Sequence, residues 1–190
     1  KGAKKLIKKC ELLKIDKYFY INSSKIFSKN PKLSELISMN WHSVGRYLEK
    51  KIKSCIAIDF GSTTTDFLCI KNHKLLNKFF DDYSRLNNNE LIYTGLTRTP
   101  LFGVSNSIKI NKTEMNIIPE YFSDMSDIYR ILQKLDSSYD IDKTADGRSK
   151  SLYSSLKRVS RSFGFDYKKE NLGKLLEISN QLKEIQLTKI

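Results

Sequence analysis

Residues 59–66 read Asp-Phe-Gly-Ser-Thr-Thr-Thr-Asp, and this run narrows the fold more than any other stretch of the chain. Cys55-Ile56-Ala57-Ile58 leads into it, a short continuous apolar run of the kind found in strands buried on both faces. Phe67 to Lys71 then resumes strand composition, so the unit reads as a strand-turn-strand hairpin. Gly61 has no side chain and lets an anion approach the backbone, and consecutive amides through such a turn can converge on phosphate oxygens. Ser62, Thr63, Thr64 and Thr65 add hydroxyl groups. Asp59 closes the leading strand, where a carboxylate is costly unless it meets water, a donor or a cation. A hydrated Mg²⁺ bridging Asp59 to a diphosphate would satisfy it, because Mg²⁺ keeps several waters and takes only one or two protein carboxylates. An isolated Asp-x-Gly-Ser is more often a plain turn with its aspartates bonding backbone. The buried leading strand and the full run favour phosphate.

Around the hairpin the chain divides by pattern. Residues 1–53 form a basic N-terminal segment, with a short amphipathic helix over 3–13, a strand at Tyr18 to Ile21, a loop at Asn30-Pro31 and a helix over Leu33 to Lys51. Residues 54–114 are β-rich, with further strands at Leu91 to Thr94 and Ser107 to Ile110. Residues 115–190 turn helical: Tyr121, Met125, Ile128, Leu132 and Leu135 recur at helical spacing from Pro119 onward, followed by Leu152 to Phe163 and Leu172 to Ile185. This predicts an α/β chain whose helical C-terminal part belongs to the same domain.

The formal charge of +13 is unevenly spread. Residues 1–53 carry 14 Lys or Arg against 4 acidic residues, whereas the other 137 carry 20 against 17. No aromatic-studded strand or recognition helix accompanies the lysines, so a nucleic-acid partner is not expected. Arginine behaves differently: six of the seven, Arg85, Arg98, Arg130, Arg148, Arg158 and Arg161, fall within 85–161. A planar fork is the better device for a phosphate or carboxylate, although each arginine taken singly is also an ordinary salt-bridge residue. Cys10, Cys55 and Cys69 lie far apart, and with only His42 and His73 they support neither a zinc site nor a disulfide framework. No apolar run reaches membrane-spanning length and no signal pattern opens the chain, so a cytoplasmic location is expected.

The run Asp59 to Asp66 resembles the phosphate loop of the acetate and sugar kinase, heat-shock ATPase and actin superfamily, whose lobes are ribonuclease-H-like. Asn40-Trp41, Glu90-Leu-Ile-Tyr-Thr-Gly-Leu-Thr-Arg-Thr-Pro100, Asp127-Ile-Tyr-Arg130, Thr144-Ala-Asp-Gly147 and Arg158-Val-Ser-Arg161 followed by Asp166 complete an ordered set. That set is similar to the hydantoinase/oxoprolinase-like proteins associated with tetrahydromethanopterin-linked one-carbon metabolism. The resemblance implies a transferase of methanofuran-type cofactor biosynthesis, one that joins an aminomethylfuranyl-methyl diphosphate to the phenol of γ-glutamyltyramine and releases pyrophosphate. It implies diphosphate binding by Gly61, Ser62, Thr63, Thr64, Thr65 and Arg98, with Mg²⁺ at Asp59. Catalytic candidates are Asp59, Asp127, Asp146 and Arg98, and Asn40, Trp41, Asp66, Arg130 and Arg158 are candidates for substrate contact. Asp127 with Arg130 also makes a common i, i+3 helix pair, and Asp146 before Gly147 is a common turn residue. Members of the family carry an earlier Asp-x-Gly-Gly motif that this chain lacks, so it reads as a C-terminal piece, or as a lobe without its leading hairpin, holding one half of a two-hairpin clamp.

Two other readings compete. An ATP-dependent kinase or ATPase of the same superfamily needs Gly-rich turns for the adenosine, and only Gly147, Gly164 and Gly173 follow residue 115. A non-enzymatic binding protein would use the basic N-terminal segment and show steep salt dependence. The expected partners are small molecules, with a homo-oligomer left open.

Overall fold

The computed structural model describes residues 2–13, 16, 19–21, 26–29 and 39–190. Tyr18, the expected loop at Asn30-Pro31 and the expected helix start at Leu33 lie outside the described residues. The chain is mixed α/β and falls into two compact units, Lys1–Asp59 with Asp66–Leu91, and Phe60–Thr65 with Ile92–Ile190. Among the described residues no helix is long and apolar enough to cross a membrane.

The first unit opens with α1 (Gly2–Glu11) and an antiparallel pair, β1 (Phe19–Ile21) with β2 (Ile26–Ser28). Helix α2 (Asn40–Lys51) follows, then β3 (Cys55–Phe60), β4 (Thr65–Lys71), β5 (Lys74–Leu75), α3 (Asp82–Asn87) and β6 (Leu91–Ile92). The sheet order is β3-β4-β5, with β6 also pairing β4. Asn72 and His73 join β4 to β5 with φ of 52° and 59°, the double left-handed turn whose twist suits a two-residue hairpin. Asp81 caps α3 by accepting the Ser84 amide at 2.8 Å, and that bond lowers its carboxyl pKa.

One face of this sheet is covered. Trp41 from α2 packs with Leu68 and Ile70 of β4, joined by Leu48, Cys55, Ala57, Leu75 and Phe80. The expectation that β3 is buried on both faces is therefore corrected: Cys55 and Ala57 turn inward, while Ile56 and Ile58 are 74% and 55% exposed. Strand alternation sends successive side chains to opposite faces, and an unbroken apolar run cannot say whether the second face is covered.

The second unit holds the turn Phe60–Thr65, then α4 (Leu101–Val104), the hairpin β7 (Ser107–Ile110) with β8 (Thr113–Asn116), and three helices: α5 (Met125–Ile131), α6 (Leu152–Ser162) and α7 (Leu172–Lys189). α5, α6 and α7 pack around Met125, Ile128, Leu156, Val159, Leu175, Ile178 and Leu182, all fully or nearly fully buried. The helix expected from Pro119 begins only at Met125. Asp124 caps it, accepting the Ser126 amide at 3.1 Å, and the backbone just before it is occupied elsewhere: Asp124 bridges Pro100, and Ile118 donates to the Ser162 carbonyl. The helix ends where Gln133 turns left-handed at φ 54° and Lys134 donates back to the Tyr129 carbonyl.

Candidate functional site

Within the second unit the turn is gripped by the segment Thr94–Thr99. Leu96 donates its amide to the Gly61 carbonyl at 2.9 Å, while Thr97 and Arg98 both donate to Ser62, at 3.2 and 2.8 Å. The turn closes on itself through the Gly61 amide and the Thr64 carbonyl. Among the described residues the amides of Ser62, Thr63 and Thr64 donate to no protein acceptor. Ser62 and Thr63 are exposed and Thr64 is half-buried. Three successive amides and two hydroxyls on one solvent-facing turn are what an oxyanion requires.

Thr65 differs from its neighbours. It is fully buried, and its hydroxyl donates to the Thr94 carbonyl at 2.7 Å, so its one hydrogen is spent on holding the turn down. Below lies a polar lattice: the Thr99 hydroxyl accepts the Gly95 amide, and Gln186 of α7 donates to both the Thr94 hydroxyl and the Gly95 carbonyl at 2.9 Å. Gly95 is obligatory there, since a Cβ would lie 2.5 Å from the Ser62 carbonyl carbon and from the Thr63 nitrogen. The Arg98 side chain is 56% exposed and, among the described residues, has only a loose ion pair with Asp142, Nε to Oδ1 at 3.7 Å. Its backbone thus belongs to the turn while its guanidinium stays available.

Asp127 and Asp146 sit elsewhere in the unit. Asp127 is fully buried; its Oδ1 accepts from Arg130 at 2.7 Å and Arg158 at 2.6 Å, and its Oδ2 accepts Arg158 Nε at 2.9 Å. Arg158 also donates to Asp146, to the Ser149 carbonyl and to the Ser155 hydroxyl, which uses all five of its N–H groups. Arg130 grips Asp140 in bidentate fashion, both contacts at 2.7 Å. Asp146 accepts the Arg148 amide and the Thr144 hydroxyl, a turn-stabilising pattern. Arg130, Arg158 and Asp127 are therefore knitted to one another, each facing a protein partner.

In the first unit Trp41 is 1% exposed and lies beneath Arg85, whose guanidinium carbon is 3.9 Å from the indole centroid. Arg85 also donates to Asp66 at 2.7 Å and to the Glu90 carbonyl at 3.0 Å. Burial raises the Asp66 pKa despite that arginine. Asn40 is exposed at the start of α2. Asp59 is half-buried two residues before Gly61, and its carboxylate makes no hydrogen bond or ion pair among the described residues. No group of three His, Cys, Asp or Glu that could hold a metal occurs among the described residues. A single unpaired carboxylate fits a cation that keeps its water shell.

The ion-pair network sets an acid limit. The Arg130 hydrogen bond, working against burial, holds the Asp140 carboxyl below its ordinary 3.8. For Asp146 burial pushes upward but is outweighed by the Arg148 amide, the Arg158 charge and the Thr144 hydroxyl, which hold it below 3.8. Groups depressed on folding contribute stability that is full above the unfolded value and is lost as pH falls through the folded one. Asp66 and Asp124, both raised by burial, act with the opposite sign: their protonation favours the fold. The loss contributed by Asp140 and Asp146 is thus confined to pH below about 3.8. In circular-dichroism melts from pH 7 to pH 3, Asp140→Asn should lower the midpoint at pH 7 and shallow the fall below pH 4. An acid limb identical to wild type would refute this assignment.

Comparison with known proteins gives concordant matches. The model of the hydantoinase/oxoprolinase family matches residues 32–190. A relative from Methanocaldococcus jannaschii, named (4-{4-[2-(gamma-L-glutamylamino)ethyl]phenoxymethyl}furan-2-yl)methanamine synthase, is 34% identical over 168 residues, covering 86% of this chain and 50% of the relative. A protein of the same name from Methanococcus vannielii is 42% identical over 110 residues, 57% of this chain and 49% of the relative. The chain spans about half the length of these curated relatives.

Proposed function

The chain belongs to the hydantoinase/oxoprolinase family, and from that premise we propose that its turn at Gly61 to Thr64 binds the diphosphate of an alkylating substrate in a transferase of methanofuran-type cofactor biosynthesis. The observation that carries the reading is the joint one at Arg98: its amide holds the Ser62 carbonyl, its guanidinium is exposed, and three unclaimed amides lie on the turn it holds. An actin-like or sugar-kinase-like lobe is the fold this reading implies, and a cytoplasmic location goes with it.

In the proposed reaction the bond between the furanylmethyl carbon and the diphosphate oxygen breaks, and its electron pair leaves with pyrophosphate. The phenol oxygen of γ-glutamyltyramine forms the new bond to that carbon, and the phenolic proton passes to the released pyrophosphate. A furfuryl-type carbon leaves with much cation character, so catalysis consists chiefly of stabilising the departing charge and positioning the nucleophile. The Ser62, Thr63 and Thr64 amides and the Arg98 fork would supply that stabilisation. Asp59 would hold a hydrated Mg²⁺, which when bound would supply positive charge to a diphosphate. Asp127 and Asp146 enter as anchors for Arg130 and Arg158, and Thr65 as an anchor for the turn.

Isothermal titration tests this reading. Mg·pyrophosphate should bind at least as tightly as Mg·ATP, and Arg98→Gln should weaken pyrophosphate at least tenfold, about the worth of one charge-assisted hydrogen bond. Much tighter ATP binding would point to the kinase alternative instead. Unaltered pyrophosphate affinity in Arg98→Gln would overturn the assignment of the turn.

A further inference from the structure

A second cluster of cations lies in the helical unit, with a single acid among the residues that line it. Asp146, Arg148, Tyr153, Lys157, Arg158 and Arg161, with Ser154, line a cleft of about 120 Å³. None of these residues comes from the turn or from Thr94–Thr99. Four of them are cationic and one is acidic, and that acid is already in contact with Arg158, whose own donors are fully used. Arg148 and Arg161 are exposed, and among the described residues neither has a carboxylate within ion-pair distance or a side-chain hydrogen bond, although the Arg148 charge helps to hold the Asp146 carboxyl low. Lys157 lies over the Tyr153 ring at 5.1 Å, which holds its ammonium beside the cleft without neutralising it.

The helix itself argues for a ligand. Lys157 and Arg161 are four residues apart on α6 and Arg158 and Arg161 three apart, so like charges repel along one stripe. The cleft, about 120 Å³, has room for one oxyanion head group. Arg148, Lys157 and Arg161 around one small cleft, with Asp146 the single acid in its lining, favour a doubly charged anion over a lone carboxylate.

We propose that this cleft is a second oxyanion site, built by Arg148, Lys157 and Arg161, for a phosphate-type dianionic head group. It acts apart from the turn and does not depend on the transferase reading. Arg158 forms its floor, and the Ser154 hydroxyl adds a neutral donor at the rim.

Phosphorus-31 NMR titration of the full chain with inorganic phosphate tests the proposal, with Arg98→Gln as the background that disables the turn. In that background one phosphate site should persist, its apparent Kd rising with salt. Adding Arg148→Gln and Arg161→Gln should weaken it at least tenfold while the thermal midpoint stays within a degree or two, because both side chains are exposed. Glutamate, titrated alongside by isothermal calorimetry, should bind more weakly than phosphate. The proposal fails if the Arg98→Gln protein binds no phosphate, or if the added substitutions leave its Kd unchanged. Glutamate binding in place of phosphate would overturn the dianion assignment. Loss of pyrophosphate binding in Arg98→Gln alone would bear only on the turn, so the two readings fail separately.

Discussion

Gly95→Ala should collapse the turn and abolish pyrophosphate binding at it. The added methyl would sit 2.5 Å from the Ser62 carbonyl carbon and the Thr63 nitrogen and 2.6 Å from the Thr63 carbonyl carbon. These are backbone atoms, and no rotamer change can make room. Moving the turn away breaks the bonds from Leu96, Thr97 and Arg98 to Gly61 and Ser62, and on the other side Gly95 is fixed by Thr99 and Gln186. Overpacking a well-packed site typically costs about 1–3 kcal/mol, and an obstacle made wholly of backbone belongs at the upper end. At about 2–4 °C per kcal/mol for a chain of this size, the thermal midpoint should fall by roughly 6–12 °C. Two glycines serve as controls: Gly103→Ala, whose nearest neighbour would be 3.7 Å away, and Gly173→Ala, which meets nothing within 4 Å. Both should keep wild-type affinity, and Gly173→Ala should be neutral or slightly stabilising in α7. Retention of both midpoint and pyrophosphate affinity in Gly95→Ala would refute the close approach.

The contrast between what was legible in the chain and what was not follows sequence distance. Gly61 between two apolar runs marks the hairpin through neighbours only, and the helical spacing of Leu152 to Phe163 and Leu172 to Ile185 is likewise local, matching α6 and α7. The role of Thr65 is set by Thr94, and that of Gly95 by Ser62 and Gln186, partners 29 to 91 residues away. Nothing in a row of Ser and Thr says which hydroxyl faces inward. The segment 90–100 stood out as a block, yet only Arg98 was singled out from it, because its threonines and glycine act through backbone geometry. α3, α4, β2, β5 and β8 went unpredicted; at two to six residues they are too short to show a period. Asp124 displaced Pro119 as the start of α5 because its backbone is drawn into a bridge with Pro100 that only the tertiary fold creates.

Asp127 is a catalytic candidate from the sequence and an ion-pair anchor in the fold, and its substitution separates these two roles. Removing it leaves Arg158, 2% exposed, and Arg130, 7% exposed, with a lost partner in the interior. Breaking a buried ion pair from one side typically costs about 3–5 kcal/mol, because the orphaned charge stays behind. The lower end applies, since Arg130 keeps Asp140 and Arg158 keeps Asp146. Against a total stability of about 5–15 kcal/mol, that loss should be visible as a large drop in the urea midpoint for Asp127→Ala. Asp127→Asn retains the shape but offers one carbonyl oxygen where three guanidinium N–H groups now converge, and turns an amide N–H toward them. It should be nearly as destabilised. A catalytic base would behave in the opposite way: the asparagine variant would keep the wild-type urea midpoint and lose turnover of the furanylmethyl diphosphate. Arg158→Met is the complementary probe. Asp127 then keeps Arg130, so the cost should be smaller than for Asp127→Ala, and the reverse order would remove Asp127 from the centre of this network.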